Sequence, residues 1–377
     1  MIRVNNIHLS LDYDDKSVRK AVARQLRVEE KSIKSCKIFR RSVDARKKDS
    51  IYFLTTVDAE LNTNEDKVCK KCGNAQIARK YEYNQMKFGN APSPIVVGAG
   101  PAGLFAALIL ARSGANPILI ERGRDVDRRT ADVNRFWTSG QLDTTSNVQF
   151  GEGGAGTFSD GKLNSGTKDI RQRKVLEEFV SHGAPDEILY NAKPHIGTDM
   201  LKGTIKNIRN EIIELGGRVM FETKLVSMAF SDNKLKSITV ETANGNEIIE
   251  TDNVILAIGH SARDTFEMLY DLKLPIEAKP FSVGARIEHL RQKVDKAQYG
   301  RFAGNKKLGS ANYKLSTHLD NGRGVYTFCM CPGGKVVNAS SEENRLCTNG
   351  MSEFARDAEN SNSALLVGIN PDDYESD

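Results

Sequence analysis

Apolar and polar residues alternate from Ile2 to Leu11, as in a half-buried strand. Between Asp15 and Leu26 the spacing changes, and Val18, Ala21, Val22 and Leu26 fall on one helical face. Two further strand-like runs, Ile33 to Val43 and Ile51 to Val57, flank the turn Arg46-Lys47-Lys48-Asp49. Together these runs predict a small α/β unit over residues 1–62, followed by a polar connection over 63–90. At Ala91 the texture changes. Ile95-Val96-Val97 is wholly β-branched, as a buried parallel strand requires. A glycine turn leads into a helical run from Leu104 to Ser113, Gly114 stops it, and Pro117 to Ile120 forms a second strand. Residues 121–165, rich in Gly, Arg, Asp and Thr, read as loops. Met200 to Leu215 places Ile205, Ile208, Ile212 and Leu215 on one face and ends at Gly216-Gly217. Val219 to Phe230, Leu235 to Thr242 and Glu247 to Thr251 predict strands, with a hairpin turn at Asn244-Gly245. Asn253 to Ile258 reads as a short buried strand, and Phe281 to Glu288 and Gly324 to Met330 as two more. The pattern divides the chain at 1–90, 91–265 and 266–377.

Composition changes this picture in two places. The net charge of +5 is unevenly spread: residues 1–90 hold 20 Lys/Arg against 12 Asp/Glu, a balance of +8, and the remainder carries −3. The basic character therefore belongs to the N-terminal unit. A solvated basic face is its plain explanation, and contact with a nucleic acid is the sharper alternative. Six cysteines in 377 residues imply no disulfide framework. Cys69 and Cys72 form a single CxxC with no second pair, so no zinc site is expected. No apolar run approaches the roughly 20 residues of a membrane span, and the first ten residues do not read as a secretion signal, which predicts a cytoplasmic protein.

The chemistry begins at Gly98-Ala99-Gly100-Pro101-Ala102-Gly103, which joins a buried strand to a helix. Gly98 permits the tight turn, Gly100 lets a pyrophosphate approach the backbone, and Gly103 lets helix pack on strand. The helix start offers free N–H groups and a positive dipole end to phosphate. Glu121 ends the second strand, 18 residues past Gly103, within reach of a ribose. Strand, loop, helix, stop, strand and acid in this order predict a Rossmann-like dinucleotide site. Farther on, Gly151-Glu152-Gly153-Gly154-Ala155-Gly156-Thr157-Phe158-Ser159-Asp160-Gly161-Lys162 contains five glycines in eleven residues, from Gly151 to Gly161. Such a run suits backbone amides laid against a flat ring or a phosphate. The strand ending Ala257-Ile258-Gly259-His260 comes after the three predicted antiparallel strands. This order resembles FAD-binding proteins of the glutathione-reductase type, with Ile258 where their motif has Thr.

The strings NVQFGEGGAGTFSDGKL, NVILAIGHSARDTFEML, KPFSVGARIEH and YTFCMCPGG, with Arg41-Ser42-Val43-Asp44-Ala45-Arg46 in the leader, resemble a family of bacterial FAD-dependent dehydrogenases over nearly the whole chain. The resemblance implies an α/β fold: a Rossmann-like FAD-binding domain of glutathione-reductase type, an inserted β-rich substrate domain and a small α/β N-terminal domain. It implies FAD and a flavin-mediated hydride transfer on a small-molecule substrate. Arg122, Gly153, Gly154, Gly156, Asp160, Gly161, Lys162 and Gly259 join the loop and Glu121 as candidate cofactor-binding residues. The family closes with a further segment carrying a Gly-Asp/Glu-Gly motif at the flavin; this sequence ends at Asn370-Pro371-Asp372-Asp373-Tyr374-Glu375-Ser376-Asp377 without such a closing segment, so a C-terminally shortened chain is expected. With a single dinucleotide loop, NAD(P)H is expected only as a transient electron donor. An FAD-dependent RNA-modifying enzyme and an inactive flavin-binding fragment are the alternatives.

Catalytic candidates are few. Lys162 is placed to stabilise negative charge on a reduced ring, and His260 follows the strand-end glycine. Arg286 and His289 read either as an anion site or as a salt-bridged strand end. Cys329-Met330-Cys331 puts two sulfurs on one strand face. The spacing is not CxxC, and the expectation is a pair of buried core thiols.

Overall fold

The computed structural model describes residues 1–79, 81–88, 93–167 and 169–374. The leader forms β1 (Ile2–Leu9), α1 (Asp15–Leu26), β2 (Ile33–Asp44), β3 (Tyr52–Leu61), α2 (Glu65–Lys71) and β4 (Ala75–Ile77). Its sheet has the order β2-β3-β1-β4, antiparallel throughout. Asp14 caps α1, its carboxylate accepting the Ser17 N–H at 2.8 Å, and Val18, Val22, Ala23 and Leu26 are buried. The polar connection predicted over 63–90 is partly regular: α2 and the edge strand β4 occupy its first half. Asn64 caps α2, and Cys69 within the helix and Cys72 just past its end pack on the leader core.

The central unit contains β5 (Ile95–Val97), α3 (Pro101–Arg112), β6 (Ile118–Ile120), α4 (Val126–Ser139), α5 (Gln172–Ser181), α6 (Thr198–Glu214), β7 (Arg218–Met220), β8 (Lys224–Ser231), β9 (Lys234–Thr242), β10 (Gly245–Glu250), β11 (Val254–Leu256) and α7 (Arg263–Asp271). Four short parallel strands lie in the order β11-β5-β6-β7. Helices α3 and α6 cover one face through Leu104, Leu108, Ile205 and Ile208. The antiparallel β8-β9-β10 sheet covers the other, with Leu225, Met228, Ile238 and Val240 packed on Ile95, Val97 and Ile120. Two expectations need correcting here. Residues 121–165 are not all loop, because α4 lies among them; its buried face includes Arg129 and Asp132, which hide the apolar stripe. The run Asn253 to Ile258 is not a buried strand: β11 is an edge, with Ile255 and Leu256 more than a third exposed.

The last third forms β12 (Phe281–Leu290), α8 (Arg291–Tyr299), β13 (Ser316–His318), β14 (Gly324–Cys331), β15 (Lys335–Asn338), β16 (Thr348–Met351) and β17 (Asn360–Ile369). Its antiparallel sheet has the order β12-β17-β14-β13, and β15 pairs with β16. The leader core does not end with the leader: Val294, Tyr299, Leu308, Ala311 and Met330 are part of it. No helix among the described residues is long and apolar enough to cross a membrane.

Candidate functional site

Strand β5 turns into α3 through Gly98, which takes φ +102°. A Cβ there would lie 2.5 Å from the Ala257 carbonyl oxygen, and one at Gly103 only 1.7 Å from that of Gly98. Both contacts exclude any side chain, so helix and strands meet at backbone distance. Gly100 differs. It is the N-cap of α3 with no side chain capping the first turn, and a Cβ on it would meet only Gly154 Cα, at 3.9 Å. The first-turn amides thus face open space between two glycine backbones.

That space is a cleft of about 560 Å³ between the glycine turn, the ends of β6 and β11, and α7. Gly98, Gly100, Pro101, Ala102, Glu121, Arg122, Gly154, Gly156, Gly259 and His260 line it. A Cβ at Gly156 or Gly259 would meet nothing within 4 Å, so this wall is smooth backbone. An uncapped helix start, a glycine cradle and an acid at the strand end fit the adenine-diphosphate half of a dinucleotide. Gly103 and Gly153 serve the packing behind the cleft. The Gly153 N–H donates to the Ala99 carbonyl at 2.8 Å.

Glu121 is more constrained than the sequence suggested. Its carboxylate accepts the backbone N–H groups of Ala99 (2.8 Å), Gly123 (2.9 Å) and Gly151 (3.0 Å). A carboxylate has about four acceptor sites, which leaves one for a ribose hydroxyl. Glu121 is therefore first a staple that joins the dinucleotide turn to the second glycine arm. Arg122 stacks its guanidinium 4.5 Å from the Phe150 ring centroid and pairs with Asp264 at 2.9 Å. Burial works to raise the Asp264 carboxyl, but Arg122 and Lys224 outweigh it and hold its pKa at about 2.

The arm has an organiser that sequence reasoning missed. Arg129, on α4, is fully buried. Its guanidinium donates to the carbonyls of Asn147 (2.8 Å), Val148 (2.9 Å), Gly151 (3.3 Å), Glu152 (2.5 Å) and Gly154 (2.9 Å). Burial pulls its pKa down to about 10, while Glu121 and Glu152 favour the charge. The available signal was a helical spacing of Val126, Arg129, Val133 and Phe136 between Asp125 and Gly140.

Asp160, Gly161 and Lys162 do not line the cleft, contrary to expectation. A Cβ at Gly161 would lie 2.9 Å from the Gly197 nitrogen, a purely structural contact. Asp160 is buried and pairs with Arg356 (2.6 Å) and Lys162 (2.7 Å), and accepts from Ser352 Oγ at 2.9 Å. Burial works to raise its carboxyl, and the two cations hold it below its usual range. Lys162 Nζ stands 3.6 Å from Cys331 Sγ and 3.8 Å from Cys329 Sγ. Arg286 does not line the cleft and makes no ion pair among the described residues. It donates to the Cys329 carbonyl at 3.3 Å and to Asn362 Oδ1. His289 is held between the Ser361 carbonyl (2.7 Å) and Tyr313 Oη (2.8 Å). Of the catalytic candidates, only His260 lies at the cleft.

The glycine turn and its cleft define a nucleotide-binding α/β protein, and comparison with known proteins narrows the class. Residues 93–133 match the FAD binding domain family, residues 280–377 match the C-terminal domain-like family of FAD-dependent proteins, and residues 1–60 match a domain of unknown function. A protein of Clostridium beijerinckii, described only as an uncharacterized protein, is 48% identical over 379 residues, covering 99% of this chain and 70% of that one. The chain belongs to a bacterial family of FAD-dependent proteins. Among solved structures, a flavoprotein/dehydrogenase from Cytophaga hutchinsonii is 14% identical, with a TM-score of 0.35 over 75% of this chain and 58% of that one. The glycerol-3-phosphate dehydrogenase of Bacillus halodurans complexed with FAD is 13% identical, with a TM-score of 0.36 over 76% of this chain and 49% of that one. The chain thus spans between about half and two thirds of the length of these two structures.

Proposed function

We propose that this chain is an FAD-dependent oxidoreductase of glutathione-reductase type, carrying out hydride transfer on a small-molecule substrate. The observation that carries the reading is the cradle between Gly100 and Gly154, open at the uncapped start of α3 and flanked by Glu121. When bound, FAD supplies the hydride-transfer chemistry that side chains lack. The chain's own residues bind and orient it. The α3 amides take the diphosphate, the remaining acceptor site of Glu121 takes a ribose hydroxyl, and Arg122 borders the adenine side. On this reading His260, which lines the same cleft, is the side chain that would hold a proton for the flavin chemistry. A nicotinamide nucleotide serves as a transient electron donor on this reading, since the single dinucleotide loop is taken by FAD.

The test is Gly100→Val. The added side chain has room in the unliganded backbone and fills the space of the diphosphate. The wild-type protein should purify yellow and release FAD, rather than FMN, on denaturation. The variant should keep its circular dichroism and lose its colour. Release of FMN, or equal FAD retention by the variant, overturns the assignment.

A further inference from the structure

The second polar centre of the molecule lies where β14 passes the end of the glycine arm. Cys329 and Cys331 do not sit there as ordinary core thiols. Met330, between them, points into the leader core, and neither cysteine belongs to an apolar cluster. Cys329 takes φ +47°, a left-handed conformation that a non-glycine residue in a strand rarely holds. It falls in a register shift between Phe328 and Cys331. The left-handed turn at Cys329 brings both sulfurs toward Lys162 Nζ, and the Cys331 thiol donates to the Cys329 carbonyl at 3.3 Å.

Charge is unbalanced at this centre. Lys162 and Arg356 share one carboxylate, that of Asp160. Arg286 adds a third cation: a Cβ on Gly350 would lie 2.3 Å from its Nη1 and 2.7 Å from Cys331 Sγ. Asn362 is fully buried in the same cluster, and its Nδ2 finds no acceptor among the described residues. Three cations and an unused donor around one anion leave room for a second negative charge, and a thiolate is the group at hand.

We propose that Cys329, Cys331 and Lys162 form a redox-active dithiol centre, with one resting thiolate, that exchanges with low-molecular-weight disulfides. The proposal stands apart from the flavin reading, since none of these residues lines the cleft. In the reaction, the Cys329 thiolate attacks one sulfur of RSSR. A Cys329–SR bond forms, the S–S bond breaks, and RS⁻ leaves. The Cys331 thiol gives its proton to that thiolate. Its sulfur then attacks Cys329 Sγ, closing the Cys329–Cys331 disulfide and releasing the second RS⁻. The dithiol loses two electrons and RSSR gains them. The surroundings support this division of labour: the neighbouring Cys331, Lys162 and Arg286 hold Cys329 well below the ordinary thiol range, while the neighbouring Cys329 and burial push Cys331 above it.

The test follows iodoacetamide alkylation of the full chain by peptide mass mapping from about pH 6 to pH 8. An ordinary thiol of pKa about 8.5 gains about tenfold in rate per pH unit over that range. Exposed Cys347 is followed in the same digest as an internal comparison. Cys329 should alkylate at a rate that is flat with pH. Lys162→Met should restore the climb, and Lys162→Arg should keep the plateau. Oxidised glutathione should remove two hydrogens from the peptide that carries both cysteines. A tenfold climb per pH unit at Cys329 in the wild type, or a stable glutathione adduct without closure of the disulfide, overturns the proposal. Neither readout needs FAD.

Discussion

Replacing Arg129 with methionine tests whether the glycine arm is held from beneath. Methionine keeps much of the side-chain volume and removes every donor. Five backbone carbonyls between Asn147 and Gly154 lose a donor at once, and of these Gly151 keeps the Gly154 N–H and Glu152 the Thr157 hydroxyl. A hydrogen bond to a charged group is worth about 1.5–3 kcal/mol, and an orphaned buried acceptor costs about 1–3 kcal/mol. These costs do not add, because the arm relaxes toward the cleft and its carbonyls find water. Breaking a buried charged contact costs about 3–5 kcal/mol, and the expected loss is about 4 kcal/mol. Lysine keeps the charge but has three donors where arginine has five, so Arg129→Lys should lose about 2–3 kcal/mol. Both values are read from urea unfolding of the FAD-free protein, followed by far-ultraviolet circular dichroism. FAD affinity should fall in the same order, because Gly154 would no longer be held against the α3 turn. A methionine variant less than about 1 kcal/mol weaker than wild type, with unchanged FAD affinity, refutes the reasoning.

Two further outcomes follow from the same geometry. Glu121→Ala should cost about 2–4 kcal/mol of stability, beyond any loss of FAD affinity, since three backbone N–H groups lose their acceptor; unfolding without FAD measures it, and a loss confined to FAD binding would return the residue to a purely ribose-binding role. Asp160→Asn should cost about 3–5 kcal/mol at neutral pH by leaving Lys162 and Arg356 without their carboxylate. The folded pKa of Asp160 lies below the unfolded value, so its contribution is complete above about pH 4 and is lost as pH falls through the lower folded value. The gap between wild type and variant in urea midpoint should be constant from neutral pH to about pH 4 and close below it.

The sequence made the dinucleotide turn legible because that turn is local. Strand, Gly98, Gly100, Gly103, helix and Glu121 fall within 27 residues, and each has a backbone reason to be there. The leader's first helix and strands were legible for the same reason, through the period of their apolar residues. Helix α4 was not, because its inward face carries Arg129 and Asp132, and hydropathy periodicity counts both as solvent-facing. The fate of Asp160 and Lys162 was hidden by distance along the chain. Their partners Arg356 and Cys331 lie 196 and 169 residues away. Nothing in a one-dimensional pattern pairs a glycine-arm carboxylate with a cation near a late strand. Sulfur spacing alone likewise gave Cys329 a regular strand conformation, whereas the backbone there is bulged.

The shared core between the leader and the last third has a consequence for cooperativity. Met330 is buried at 5% exposure beside Val294, Tyr299 and Leu308, in the same cluster as Ile2, Val4 and Val57. Two residues of one strand therefore belong to the sulfur centre while the residue between them belongs to the leader. Amide exchange along β14 should report the opening of β1 and β3, since neither surface can separate without breaking the other's packing. A leader grafted from a distant relative would have to bring its apolar surface with it. Substitution at Ile2 or Val57 alters the same cluster that holds Met330, the residue next to Cys329.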